Sequence, residues 1–373
     1  MEDKKIKKIA FLVRNFDITG GGAERFCVEL VNGLKNNYEV HVFSQNITAR
    51  IPKVEFHQVT QKINRPRFLN QFLFGIRARK ILKNSDFDII HSHDIIPGAD
   101  VYTIHVPCFK SFITNSSGLK KVLLLLSLPL SPRKLMYLLM ENKVYRPNKK
   151  ILPVSNLLAQ NIRKNYPKSA ISNITYPGIW PENDKFTKNN KLRKDNLIPI
   201  ESFVVLFMGH SFERKGLQSI IQALEILNNS EIYLLVAGNG KENDIKFSNE
   251  HVKKNTKFLG KIDQISDFYS AGNVMVHPTR GDTFGMVVLE AMQHSIPVIV
   301  SNKYYCGISE TLNQDNSILI SNPQDKVEIS NAILTIFKDQ ELANTLGSNG
   351  KRHASTFTWN NTITKTLEAY NSN

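Results

Sequence analysis

The sequence predicts an α/β protein of two doubly wound, Rossmann-like domains. Short β-branched runs alternate with helical segments in two successive blocks, as parallel sheets covered by helices require. A polar stretch, "PENDKFTKNNKLRKDNLIP", separates the blocks and reads as a linker. The 373 residues are long for one domain and sufficient for two.

In chain order, "IKKIAFLVR" reads as a buried strand and "GGAERFCVELVNGLKN" as the helix after it. "YEVHVFSQ" and "VEFHQVT" are strands, residues 70–84 a helix, and "FDIIHSH" and "ADVYTIH" strands. Residues 118–146 form a long helical region, followed by strand "KKILPVS" and helix "NLLAQNIRKNY". After the linker, "FVVLFMG", "IYLLVAG", "TKFLG", "VMVHPT" and "PVIVS" are strands with helical segments between them.

Composition narrows the function classes. Hydrophobic residues make up 41% and charged residues 22%, the values of an ordinary globular protein. Cys27, Cys108 and Cys306 are odd in number and far apart, which argues against a disulfide framework and for a reducing compartment. The apolar part of "MEDKKIKKIAFLVRN" is too short for a signal-peptide core. No run approaches 18 apolar residues, so no bilayer-spanning segment is expected. Residues 1–190 carry 30 Lys+Arg against 14 Asp+Glu, and residues 191–373 carry 18 against 19. The basic excess belongs to the first half, which suggests that this half meets an anion: nucleic acid, anionic lipid or a phosphorylated substrate.

Ligands of open parallel sheets sit beyond the carboxyl ends of the strands. Three loops there stand out. In "ITGGGAERF", Gly20, Gly21 and Gly22 open a helix and let a phosphate or sugar approach the backbone; a plain tight turn fits the same residues. In "MGHSFERKG", Arg214 and Lys215 suit a diphosphate, Arg by its fork and Lys as a point charge. At a helix start the dipole disfavours such a pair, which argues for a functional reason. In "RGDTFGMVVLEAM", the helix is expected to begin near Phe284, with Asp282 or Thr283 as its cap. Glu290 lies inside that apolar helix, and a carboxylate there needs a partner, either a sugar hydroxyl pair or a basic side chain.

These residues together resemble the retaining glycosyltransferases of family four, which have the GT-B fold. The family's paired acids, eight positions apart, read here as Asp282-(TFGMVVL)-Glu290. "GGAER", "DIIHSH", "YTIHVPC", "MGHSFERKGLQSIIQAL", "LLVAGNG" and "FLGKIDQISDFYSAGNVMVHPT" match in family order, over nearly the whole chain. "GADVYTIHVPC" and "GHSFERKG" are similar to the lipopolysaccharide core glucosyltransferases.

The resemblance implies two domains facing across a cleft. Residues 1–178 with a C-terminal helix at 356–373 would bind the acceptor, and residues 179–355 the nucleotide-sugar donor. Arg214 and Lys215 would hold the donor diphosphate, beside Gly209. Glu290 would bind the ribose hydroxyls and Asp282 the sugar ring. Phe284, Gly285, Met286 and Val287 would offer amides, and Gly21 and Gly22 would lie under the donor. The base would be read near Lys261 and Ile262, and His105 would stand beside the reacting sugar. Glu24, His93 and Asp100 are expected on the acceptor side. The family's first Glu is Asp282 here, one methylene shorter, and its frequent Arg after the strand's Gly is His210.

A UDP-sugar is the expected donor, with no metal ion and no other cofactor, and with domain closure excluding water. The expected acceptor is an anionic glycan or glycolipid at the inner face of the cell membrane, reached by a cytoplasmic, peripherally bound protein in lipopolysaccharide or other surface-polysaccharide synthesis. "DFD" at Asp86 and Asp88 imitates a metal motif but precedes a strand, and His91 and His93 share a strand face. A glycosidase would also place two carboxyls about a bond, though the cations fit a phosphorylated donor better. A nucleic-acid-binding protein would explain the basic half, but no recognisable module accompanies it. Residues 116–146, with the apolar "VLLLL" between lysines, read either as a buried helix broken by Pro129 and Pro132 or as an interfacial segment on anionic lipid.

Overall fold

A computed structural model describes residues 6–372 except 19, 61, 62, 64, 84, 181–189 and 263. Residues 181–189 of the expected linker, nine of its nineteen, therefore lie outside the described residues. The chain divides into two compact units, residues 1–178 with 359–373, and residues 179–358. Residues 356–358, expected with the C-terminal helix, belong to the second unit.

The first unit holds β1 (Lys8–Leu12), α1 (Gly22–Leu34), β2 (Glu39–Ser44), β3 (Val54–Gln58), α2 (Arg67–Leu82), β4 (Ile89–Ser92), β5 (Val101–Ile104), α3 (Phe109–Thr114), α4 (Gly118–Leu126), α5 (Pro132–Val144), β6 (Lys150–Pro153), α6 (Asn156–Asn165) and β7 (Ala170–Ile171). Its sheet runs β3-β2-β1-β4-β5-β6-β7, with every pairing parallel. The expected single helical region over 118–146 is two helices, because Pro132 opens α5 at a position where a missing N–H costs nothing. A further short helix, α3, precedes them. The C-terminal helix (Trp359–Asn371) packs on this unit. Trp359 meets Phe26 edge-on at 5.4 Å, and the Thr362 hydroxyl donates to the Tyr176 carbonyl.

The second unit holds β8 (Phe203–Met208), α7 (Phe212–Lys215), α8 (Leu217–Leu227), β9 (Ile232–Ala237), α9 (Glu250–Asn255), β10 (Thr256–Gly260), α10 (Ile265–Ser270), β11 (Val274–His277), α11 (Met286–Gln293), β12 (Val298–Ser301), β13 (Ile318–Ile320), α12 (Lys326–Lys338) and α13 (Gln340–Ala354). Its sheet runs β10-β9-β8-β11-β12-β13, again parallel throughout. Val205, Phe207, Val236, Val276 and Ile299 from the strands join Leu217, Ile220 and Ile333 from the helices in its core.

In both sheets the strand order reverses beside the first strand of the block, between β1 and β4 and between β8 and β11. Loops leaving two strands at such a point diverge to opposite faces and leave a crevice at the carboxyl edge. The first unit places the glycine loop and the segment from His93 there, and the second places the Arg214–Lys215 loop and the Asp282 loop.

Candidate functional site

In the second unit the two crevice loops meet through charge. The Lys215 ammonium contacts the Asp282 carboxylate, and His277 Nε2 donates to the same oxygen, Oδ2, at 3.0 Å. Both partners of the ion pair are largely buried, with side chains 12% and 15% exposed. Burial alone would raise the Asp282 carboxyl, but the Lys215 charge and the His277 hydrogen bond outweigh it, so this group titrates well below the usual carboxylate range. Burial lowers the His277 imidazole against the pull of Asp282, which keeps it neutral.

The backbone holds this arrangement in place. Gly216, at φ +84°, lets the loop turn directly after Lys215; a Cβ there would stand 2.1 Å from the Pro278 carbonyl oxygen. Arg280 N donates to the Arg214 carbonyl, and the Arg214 guanidinium reaches the Gly281 carbonyl. Asp282 N donates to Tyr305 O at 2.7 Å and Gly307 N to Asp282 O at 3.0 Å. The two cations occupy the last turn of α7, where the helix dipole favours positive charge, rather than the start of α8 as the sequence suggested.

Asp282 and Thr283 do not cap α11. The helix starts at Met286 and its N-cap is Gly285 at φ +103°, with no side-chain bond, because Asp282 is committed to Lys215 and His277. The first amides of α11, including those of Met286 and Val287, have no intrahelical acceptor and sit at the positive end of the helix. Phe284 is buried, its carbonyl taken by Ile308 N.

Glu290 is buried one turn further on. Its Oε2 accepts from the Tyr269 hydroxyl at 3.0 Å, so a neutral hydroxyl on α10 is among its partners. Tyr269 stacks on His294, whose Nδ1 lies 2.7 Å from the Glu290 carbonyl. Gly209, Lys261 and Ile262 follow β8 and β10, on the same carboxyl edge. The sequence reading missed His277 and Tyr269. Their only signals were a histidine closing an apolar strand five residues before the acid and a tyrosine in an otherwise ordinary helix.

Cys306 also lies close to His277 and Asp282, the three ligand atoms falling within 4.8 Å of one another. The set is poorly suited to a cation. The Asp282 oxygen already faces Lys215, His277 Nε2 carries its proton toward Asp282, and burial raises the Cys306 thiol.

In the first unit three histidines form a stack beneath the crevice. His91 and His93 have ring centroids 4.9 Å apart, and His93 and His105 5.3 Å. His91 is held by the Tyr370 hydroxyl at 2.7 Å and Thr103 at 2.8 Å, so it is a core residue. His93 Nδ1 meets His105 Nε2 at 3.1 Å. Burial lowers all three, His91 and His105 to about 3. His93 and His105 line a cleft of about 370 Å³ with Glu24, Arg14, Tyr137 and Glu141. An adjoining cleft of about 480 Å³ shares Arg14 and Arg67 and adds Arg65. Gly21 is the extended N-cap of α1, which begins at Gly22; a Cβ on Gly21 would stand 2.9 Å from Glu24 Oε2.

Asp100 does not join this group. It precedes β5, accepts from Ile90 N at 3.1 Å and pairs with Lys149, all at the amino ends of the strands. Asp88 is placed likewise, its carboxylate on the Lys8 amide.

Residues 20–182 match the model of Glycosyltransferase Family 4, and residues 188–353 that of Glycosyl transferases group 1. The chain belongs to these glycosyltransferases. Among relatives, the lipopolysaccharide glucosyltransferase WaaG of Escherichia coli is 22% identical over 351 residues, covering 90% of this chain and 91% of that one. An uncharacterized glycosyltransferase of Methanocaldococcus jannaschii is 24% identical over 356 residues, covering 87% and 92%. The crystal structure of WaaG, a glycosyltransferase involved in lipopolysaccharide biosynthesis, superposes with a TM-score of 0.80 at 20% identity, covering 98% of this chain and all of that one. Anabaena HepE in complex with UDP-glucose superposes at 0.68 with 19% identity, covering 97% and 98%. The GT-B fold expected from the motifs is thus the fold of its structural relatives.

Proposed function

We propose that this glycosyltransferase moves a hexose from a UDP-sugar to a hydroxyl of an anionic glycan or glycolipid, with retention of anomeric configuration and without a metal ion, in the synthesis of lipopolysaccharide or another surface polysaccharide. The observation that carries the reading is the Lys215–Asp282–His277 cluster at the switch point of the second sheet, beside the open N-terminus of α11. The relative WaaG is a lipopolysaccharide glucosyltransferase, and HepE was solved with UDP-glucose.

As the anomeric bond breaks, negative charge grows on the departing diphosphate. Lys215, Arg214 and the first amides of α11 are fixed donors for that charge, and fixed donors need no reorganisation as the reaction proceeds. Asp282, kept ionised by Lys215 and oriented by His277, accepts from hydroxyls of the sugar ring. Glu290, held by Tyr269, accepts from the ribose hydroxyls. The incoming hydroxyl attacks on the face the diphosphate leaves, and that phosphate takes its proton. His105, with its imidazole kept neutral, hydrogen-bonds the reacting sugar. In the adjoining cleft Arg65 and Arg67 supply positive charge for an anionic acceptor, while Arg14 is paired with Asp94 at 2.8 Å.

The acceptor is met at a membrane surface. No residue of α4 is buried, and Leu119, Val122, Leu123, Leu125 and Leu126 are all exposed on it, beside Lys120 and Lys121. That favours an interfacial helix over a core helix, with leucines at the acyl boundary and lysines at anionic headgroups. No helix of the described residues is long and apolar enough to cross a membrane. The protein would then act peripherally, on the cytoplasmic face. Release of UDP from a panel of UDP-hexoses, with and without an anionic glycolipid, tests the reading; a folded protein that turns over none of them overturns it.

A further inference from the structure

The amino-terminal half of the first sheet carries a side-chain cluster that the transfer reaction does not use. Residues 39, 41 and 43 share one face of β2, and residues 55 and 57 share that face of β3, with His41 opposite Glu55 and Phe43 opposite His57. His41 Nδ1, His57 Nε2 and Glu55 Oε2 converge there. The three separations are 2.9 Å between the nitrogens, 3.3 Å from His41 Nδ1 to Glu55 Oε2, and 3.8 Å from His57 Nε2 to the same oxygen.

We propose that these three atoms bind a divalent transition-metal ion of the zinc class. With metal–ligand distances near 2.05 Å, tetrahedral geometry sets its ligand–ligand edges at about 3.3 Å. The three observed separations bracket that value. Imidazole nitrogen and carboxylate oxygen suit zinc and its neighbours better than magnesium or calcium, which take oxygen alone.

The surroundings follow the pattern of metal-binding histidines. His41 Nε2 lies 3.1 Å from Glu39 Oε1, and a carboxylate can only accept there, so Nε2 carries the proton. With the proton on Nε2, Nδ1 faces His57 Nε2 and the Glu55 oxygen. A metal-ligating histidine commonly gives its second N–H to a carboxylate in this way, which fixes the ring. Glu39 is in turn held by Lys8 at 2.8 Å. Phe43 stacks on His57 at 4.4 Å and Phe87 stands edge-on to His41 at 5.0 Å, forming an apolar wall on the inner side. His41 is buried, whereas the Glu55 side chain is 65% exposed, so an ion enters from the outer side and keeps water as its fourth ligand. Since β3 is the edge strand of the sheet, the ion would pin that edge to β2.

The test is zinc and cobalt titration of the untagged, metal-stripped full chain against a chromophoric chelator. One equivalent of zinc is expected to bind with micromolar or tighter affinity. His57→Gln and Glu55→Gln change partly exposed residues and should each weaken it by about a hundredfold, and Glu39→Gln by about ten- to a hundredfold. Cys306→Ser should leave it unchanged, and the cobalt spectrum should lack thiolate charge-transfer bands, which separates this site from the cluster at Asp282. Circular dichroism confirms that each variant is folded. Zinc should raise the unfolding midpoint of the wild type and not that of His57→Gln. Wild-type affinity no better than millimolar, affinity unchanged in His57→Gln, or thiolate bands in the cobalt spectrum would each overturn the proposal.

Discussion

Lys215→Met probes the donor cluster through two separable effects. In the structure Lys215 is the ammonium partner of a carboxylate whose side chain is 15% exposed. Two unit charges about 4 Å apart at an effective dielectric near 20 attract by about 4 kcal/mol. Removing one member of a buried pair leaves the other charge uncompensated, and such losses run to about 3–5 kcal/mol. Both side chains keep some exposure, so the low end applies, and the second unit should lose about 3 kcal/mol. Lys215→Met/Asp282→Asn removes both charges and should recover most of that loss. Turnover behaves differently. Each single variant loses a group that stabilises the transition state, at a cost of about a hundredfold or more, and the double variant regains none of it. Urea unfolding followed by circular dichroism gives the first quantity, and UDP release the second. A double variant less stable than Lys215→Met, or a single variant within about 0.5 kcal/mol of wild type, would refute the reasoning.

Glu290→Gln should weaken donor binding and lower turnover with little loss of stability, because the amide can still accept from Tyr269; calorimetry with UDP checks it. Excess EDTA should leave turnover unchanged, while abolition with rescue by Mn²⁺ or Mg²⁺ would contradict the metal-free reading. The histidines His91, His93, His105 and His277 have folded pKa values below their unfolded ones, so on acidification the unfolded chain takes up protons first. Stability is therefore full above about pH 7 and falls below about pH 6.5, by up to about 1.4 kcal/mol per pH unit for each histidine, and His91→Gln should remove about one proton from that uptake. Leu123→Ser/Leu126→Ser and Lys120→Glu/Lys121→Glu should each reduce co-sedimentation with anionic vesicles, and binding should fall with salt; equal sedimentation of all three folded proteins would exclude the interfacial helix.

Strands and crevice loops were legible in the sequence because parallel strands are written as continuous apolar runs and their loops follow at once. The Arg214–Lys215 and Asp282 loops were found that way. Partner choice was not legible. The cap of α11 was expected from Asp282 or Thr283, but Asp282 is taken by the ion pair with Lys215, 67 positions away, and Gly285 is the N-cap. His277 and Tyr269 carry no motif, and only the fold brings them to the acids. Asp100 was expected on the acceptor side with Glu24 and His93, but it precedes β5 at the amino end of the sheet, whereas His105 follows the carboxyl end of that four-residue strand. For α4, periodicity could not say whether an apolar run faces a core or solvent.

The most direct test of the account is the anomeric configuration of the product. Wild type, Lys215→Met and Asp282→Asn would be incubated with an α-linked UDP-hexose and an anionic glycolipid acceptor, and the new linkage read from its anomeric proton coupling by NMR. The account predicts an α linkage from the wild type and transfer reduced about a hundredfold or more in both variants. A β linkage, or wild-type rates from Asp282→Asn, would contradict it.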